Sequence, residues 1–306
     1  MIKKKQHFVS QFYLKNWAGK DDRLFALINN NVMPMKTREV AHSNYFYKVD
    51  GVNDDERAFL LKEVSSLAEP IKSMISGLIN SFHIIHKFSI DVNGETEESR
   101  IIKTNAIEDV YCIVEELALP SLDIIKKEEY GEIDIFGYSY VVRYINFQLA
   151  RTPAVKNKIK NSTESLLRDK NIRFDSYYMI YSLIIAERIS LQLINKLYKL
   201  VVINNKTNIN LITNDNPVKN LNPIDKVEVK LFLPLSPKQG LLLEPSELPD
   251  EKVKTPLEDL SKSQYYLSVT DCYDQDYISK LNLITWNNKE RSAFSYKESD
   301  LKILIS

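Results

Sequence analysis

The chain of 306 residues is 44% hydrophobic and 27% charged with no net charge, the make-up of a water-soluble globular protein with ample core material. No run approaches the ~20 apolar residues of a membrane span, and Gln6 and His7 interrupt what would be the apolar part of a secretory leader. A cytoplasmic protein with no membrane contact is expected.

Only 7 glycines occur and no Gly/Ser- or Pro-rich linker, so one domain over residues 1–306 is expected. Residues 10–17, "SQFYLKNW", read as a short helix or extended arm. "RLFALINNNVMPMKTREV" has two β-compatible runs around Asn29-Asn30-Asn31, which predicts a hairpin over 23–38, with a short strand at "NYFYKV" after it. From Asp54 the period becomes helical: Leu60, Leu61, Val64, Leu67, Ile71, Ile75, Leu78, Ile79 and Phe82 share one face, and Pro70 should kink or split that helix. Residues 91–99 form a polar loop, and a second long helix covers 101–118 and stops before Pro120. A third runs from about 134 to Arg151 with Val141, Tyr144, Ile145 and Gln148 on its buried side. Thr152-Pro153 bends the chain or opens a basic helix to about 170, and an apolar helix covers 176–198. Then "KLVVINN", "NINLIT", "VEVKLFLPLS" and "GLLLEP" read as short antiparallel strands, and a final helix covers 272–286. The fold class is α+β: a helical middle with an N-terminal β-hairpin and a C-terminal antiparallel β-region.

Charge is unevenly distributed. Residues 86–135 hold 13 acidic and 5 basic side chains, a balance of −8, whereas residues 151–200 hold 10 basic and 4 acidic, a balance of +6. These blocks either pack on each other or leave a basic face for an anionic partner. Cys112 and Cys272 form no CxxC pair and read as buried thiols.

Four places interrupt the pattern. Gln6-His7 precedes the first apolar run, and a histidine there is a proton carrier or a hydrogen-bonded structural residue. Gln148 and Arg151, spaced i, i+3, place an amide and a guanidinium at a helix end. A buried arginine needs an anion, supplied by a ligand or by a carboxylate such as Glu187. "TNDNPV" clusters Asp215 and Asn216 at a strand end, where an Asx turn would also explain the composition. Glu187 falls on an apolar helical stripe, as an arginine partner or as a carboxyl with raised pKa. His83 and His86 have metal-sharing spacing without a third ligand nearby. There is no HExxH, P-loop, GxSxG or GxGxxG, which weighs against zinc proteases, kinases, α/β hydrolases and Rossmann oxidoreductases. No metal and no cofactor are expected.

Taken in order, "QHFVSQFYLKNW", "NYFYKV", "FQLARTP", "TNDNPV" and "FLPLSP" resemble the landmarks of the domain of unknown function family numbered 4238. Asn214 stands where that family usually has serine. The resemblance implies no reaction, but it implies that these scattered polar residues meet in space. On that expectation His7 moves a proton, Asp215 orients it and Arg151 stabilises negative charge, with Gln6, Gln148, Asn216 and Glu187 contacting substrate. Three functions compete. The first is a metal-independent phosphodiesterase, most plausibly a nuclease acting as a toxin or phage-defence effector. The second is a module binding a nucleotide or other anion without turnover, and the third a purely structural polar network. A nucleic acid or nucleotide is the candidate partner. A homo-oligomer is left open.

Overall fold

The computed structural model describes residues 1–91, 94–222, 228–246 and 266–305. Its architecture is α+β, with antiparallel strands first, helices in the middle and strands again in the last third.

Strand β1 (Lys5–His7) pairs antiparallel with β4 (His42–Asn44), setting His7 opposite His42. Helix α1 (Gln11–Leu14) and one 3₁₀ turn follow β1 and bury Tyr13, Leu14 and Trp17. The hairpin is β2 (Arg23–Ile28) and β3 (Asn31–Lys36), turned by Asn29 and Asn30 at φ 48° and 65°. Both central residues lie in the left-handed region, which asparagine tolerates and which matches the twist of paired strands. Past β4 the expected strand at "NYFYKV" does not form. Tyr45 has φ 56° and reverses the chain, and the Tyr47 amide donates to the Gln6 side chain instead of a ladder.

Pro70 divides the first helical stretch as expected, into α2 (Asp54–Val64) and α3 (Ile71–Asp91). Residues 92–93 of the expected 91–99 loop lie outside the described residues. Helix α4 (Glu97–Lys126) does not stop before Pro120 but contains it. Buried Ala118, Ser121, Leu122 and Ile125 anchor the helix on both sides of the ring. Glu116, whose carbonyl loses its partner there, is exposed and can be hydrated. Helices α5 (Ile135–Ala150), α6 (Pro153–Arg168) and α7 (Phe174–Asn195) follow, with Thr152 capping α6 and Pro153 in its first turn.

The last third contains β5 (Lys199–Asn205), β6 (Thr213–Asn214), β7 (Lys219–Asn220), β8 (Leu231–Ser236), β9 (Gln239–Glu244), β10 (Leu267–Cys272), α8 (Gln275–Asn287), β11 (Ala293–Ser295) and α9 (Glu298–Ile305). One sheet has the order β10-β5-β9-β8-β7, with β10 parallel to β5 and the other pairs antiparallel. The second, β3-β2-β11-β6, joins the N-terminal hairpin to β11, a strand the sequence pattern did not announce. Most of "NINLIT" stays outside the sheets because its amides are engaged otherwise: Leu211 donates to the Pro237 carbonyl and Ile212 to Asn282 Oδ1.

Two large apolar cores share the long helices. Ala118, Leu122 and Ile125 of α4 and Val141, Tyr144 and Ile145 of α5 pack with the β-region and the arm. Ile107 and Tyr111 of α4 and Phe147 and Ala150 of α5 pack with α2, α3 and α7. Gln148 lies next to Phe147 of one core and within one helical turn of Ile145 of the other, where the two cores meet.

Candidate functional site: a buried polar network beside a cleft

The network begins with the arm. Gln6 is fully buried; its Nε2 donates to the Thr104 carbonyl at 2.7 Å and its Oε1 accepts from the Tyr47 amide at 2.8 Å. Two residues on, the Phe8 carbonyl accepts from Gln148 Nε2 at 2.9 Å. Gln148 Oε1 in turn accepts from Arg151 Nε at 3.1 Å and Nη2 at 2.6 Å. Arg151, 3% exposed, is neutralised by Glu115 at 2.6 Å and lies over the Tyr111 ring at 5.2 Å. Desolvation would lower its pKa, but Glu115 foremost, with Tyr47 and Tyr144, raises it, so the guanidinium stays charged. This is also the one ion pair among the described residues that joins the acidic 86–135 block to the basic 151–200 block.

The strand end joins at the next residue. Thr152 Oγ1 donates to Asn216 Oδ1 at 2.8 Å, and Asn216 Nδ2 donates to the Asn288 carbonyl at 3.2 Å. Tyr13 of the arm meets Thr213 Oγ1 and the Pro234 carbonyl, both at 2.6 Å. Hydrogen bonds thus tie the arm to the α5 terminus, to β6 and to β8, and tie Thr152 after α5 to the residues that follow β6.

The individual roles differ from those expected. Gln6, Gln148 and Asn216 bond to the protein rather than lining a cleft as substrate contacts. Glu187, 1% exposed on α7, is held by Arg143 Nε at 3.1–3.2 Å and not by Arg151; burial raises its pKa and Arg143 opposes that. Arg151 is sealed against Glu115. His7 has a buried Nε2 with no partner, and its pKa is pushed down to about 4 by burial first, then by His42 and Arg151. A base that weak is protonated in only about one molecule in a thousand at neutral pH, so His7 is suited to a structural rather than a proton-transfer role. Asp215 does not orient His7. Its Oδ1 accepts from the Glu290 amide at 2.8 Å, and its Oδ2 from Arg291 and Ser292 at 2.8 and 2.9 Å. Burial raises its pKa while these three amides lower it.

The depressed His7 has a consequence for stability. The unfolded chain, with a histidine near 6.5, takes up the proton before the folded one does. Stability is therefore unaffected above about pH 6.5, declines as pH falls, and is lowest below pH 4. Between pH 7 and 4 wild type should lose roughly 2–3 kcal/mol more than His7→Gln in urea titrations. Parallel pH profiles for the two proteins would contradict this assignment.

The turn clamped by Asp215 borders a cleft of about 390 Å³, with Phe8, His42, Phe46, Lys156, Glu290 and Arg291 in its wall. Arg291 is exposed and makes no ion pair or side-chain hydrogen bond among the described residues. Lys156, in the first turns of α6, pairs with the mostly exposed Asp175 at 2.7 Å and sits over the Phe46 ring at 5.6 Å. Glu290 accepts from Asn157 Nδ2 at 3.1 Å. His42 has a buried, unpartnered Nδ1 and meets His7 edge to face at 5.4 Å; burial and Lys5 lower its pKa, which favours a neutral ring. The sequence reading missed His42, Lys156 and Arg291. Lys156 was visible within the basic block, but the "NKERS" turn carried no signal of its own.

Among the described residues, no group of three or more His, Cys, Asp or Glu side chains could hold a metal ion, and no helix is long and apolar enough to cross a membrane. His83 is accounted for by the Val52 carbonyl at 3.0 Å and Asp54 at 3.5 Å. No curated protein and no solved structure matches the chain. One family model does, described as "Protein of unknown function (DUF4238)", over residues 5–299 of the 306. With nearly its whole length matched, the chain belongs to the DUF4238 family.

Proposed function

We propose that this protein binds a phosphate-bearing ligand of the nucleotide or nucleic-acid class in the cleft beside the network. The observation that carries this reading is Arg291: a guanidinium with no partner among the described residues, presented by a turn whose three amides a buried carboxylate fixes. A fixed backbone that presents an exposed cation without an internal anion suits an external anion that completes the pair. Lys156 supplies a second positive charge, and Phe8 and Phe46, with ring centroids 5.4 Å apart, supply an apolar wall suited to a base.

Arg291→Ala should weaken binding of AMP or a short single-stranded oligonucleotide at least tenfold in isothermal titration while leaving the melting temperature unchanged. Glu290→Gln, which removes one of the two carboxylates, with Asp215, that line the same cleft, should tighten it. If both variants bind as wild type does, the cleft is not the site.

A hydrolytic reading rests on a different group from the one first expected. His42 is the imidazole on the cleft wall, so on position alone it would replace His7 as the base of a metal-independent phosphodiesterase, although burial and Lys5 lower its pKa and weaken it as a base. In that case the protein would act as a nuclease, and a toxin or phage-defence role in a bacterial cytoplasm would be its setting. Oligonucleotide breakage by wild type in the presence of a chelator, and none by His42→Ala, would favour turnover over binding alone.

A further inference from the structure

A second cavity, of about 610 Å³, shares no lining residue with the cleft. It forms where three elements end: Lys126 and Glu128 at the C-terminus of α4, Lys206 and Thr207 after β5, and Ser236 and Lys238 at the β8–β9 turn. Three lysines therefore face one carboxylate, Glu128, across the same space. Lys126 pairs with Asp123 at 2.6 Å and offsets the negative end of α4. Lys238 reaches the Thr207 carbonyl at 2.8 Å. Lys206 makes no side-chain hydrogen bond among the described residues and pairs loosely with Glu128 and Asp271 at 3.6 and 3.9 Å.

Beneath the lysines is a fixed polar floor. Asn205 Oδ1 accepts from both the amide and the hydroxyl of Thr207, and its Nδ2 donates to the Ile209 and Pro237 carbonyls at 2.6 and 3.2 Å. Gln239 Nε2 donates to the Ile125 carbonyl at 3.0 Å and to Asn204 Oδ1 at 3.2 Å. Ser236 Oγ accepts from the Lys238 amide at 3.2 Å, and its own proton has no acceptor among the described residues. Every buried group of the floor is thus satisfied by protein. What remains open are donors and positive charge.

Gathering like charges on a rigid rim costs stability unless something of opposite sign offsets them. The helix end and Asp123 offset Lys126, and Glu128 and Asp271 offset Lys206 only from beyond hydrogen-bond distance, at 3.6 and 3.9 Å, while Lys238 has a carbonyl and no carboxylate partner among the described residues. We infer that this cavity binds a multiply charged phosphate, either free polyphosphate or the phosphate tail of a nucleotide, through Lys206, Lys238 and the Ser236 hydroxyl.

The test is isothermal titration with tripolyphosphate and with ATP on wild type, Lys206→Glu, Lys206→Gln and Arg291→Ala, with melting temperature as the fold control. Tripolyphosphate should bind wild type and Arg291→Ala equally, at least tenfold more weakly to Lys206→Glu, and at an intermediate level to Lys206→Gln. If Lys206→Glu fails to fold, the weaker binding of Lys206→Gln carries the comparison. ATP binding to Arg291→Ala that depends on Lys206, with no tripolyphosphate binding, would identify the nucleotide tail as the occupant. Equal affinity in wild type and both Lys206 variants, loss in Arg291→Ala alone, or no binding of either probe to wild type would overturn the inference. Arg291 belongs to the other cleft, so the two readings fail separately.

Discussion

Arg151→Ala should destabilise the protein by about 3–5 kcal/mol, read as a shift of the urea midpoint with an unchanged slope. The size follows from what is left behind. Glu115 loses its counter-ion, Gln148 Oε1 loses both donors, and Tyr111 loses the cation over its ring. An uncompensated carboxylate beside two apolar cores is the largest of these penalties. Arg151→Lys should recover part of the loss, since an ammonium can reach Glu115 but cannot also grip Gln148 with a planar fork. Because Gln148 holds the Phe8 carbonyl, the damage should spread to the arm, and amide exchange in residues 5–17 should quicken. A variant as stable as wild type would show that the guanidinium is held for a ligand and not for the fold.

Asp215→Ala should cost roughly 2–3 kcal/mol, because three backbone amides at Glu290, Arg291 and Ser292 lose their acceptor together. It should also weaken ligand binding at the cleft by at least the factor seen for Arg291→Ala, although Asp215 carries the charge opposite to the one the ligand needs. Asp215→Asn, with one carbonyl oxygen left, should fall between wild type and alanine on both measures. The paired readout is the point. If stability falls while affinity holds, the carboxylate braces the fold without setting the turn. An unchanged Asp215→Ala on both counts would remove any positioning role.

The helical middle was legible because its periodicity is strong: Val141, Tyr144, Ile145 and Gln148 are all buried where spacing put them. Pro70 and Pro153 acted as local signals should, while Pro120 did not, because tertiary anchoring of four neighbouring side chains outweighed a missing hydrogen bond. The parallel β5–β10 pair and the joining of β11 to β2 could not be read, since strand partners are chosen by packing far along the chain. At the site the pattern picked out polar residues in apolar surroundings, and nearly all of them are buried. It could not tell a sealed hydrogen-bond network from an open pocket, because both place the same residue types at the same spacing. Arg291 and His42 escaped for the opposite reason. His42 opens a three-residue strand and Arg291 sits in a turn, both too short for periodicity to mark, and only the bond from its amide to Asp215, 76 residues earlier, gives Arg291 its place.

The sheet that unites β2 with β11 also sets a schedule for biosynthesis. β2 ends at Ile28 and its neighbour begins at Ala293, so a ribosome adding about 5–20 residues per second takes on the order of 15–50 s to deliver the missing partner. The far edge of the hairpin is guarded meanwhile by Pro34 and Lys36 on β3, residues that discourage pairing with other chains. The β2 edge has no such protection, and its Leu24, Ala26 and Leu27 are apolar. The nascent protein thus carries an open adhesive seam for as long as the residues between Ile28 and Ala293 are being made, until the three residues of β11 close it.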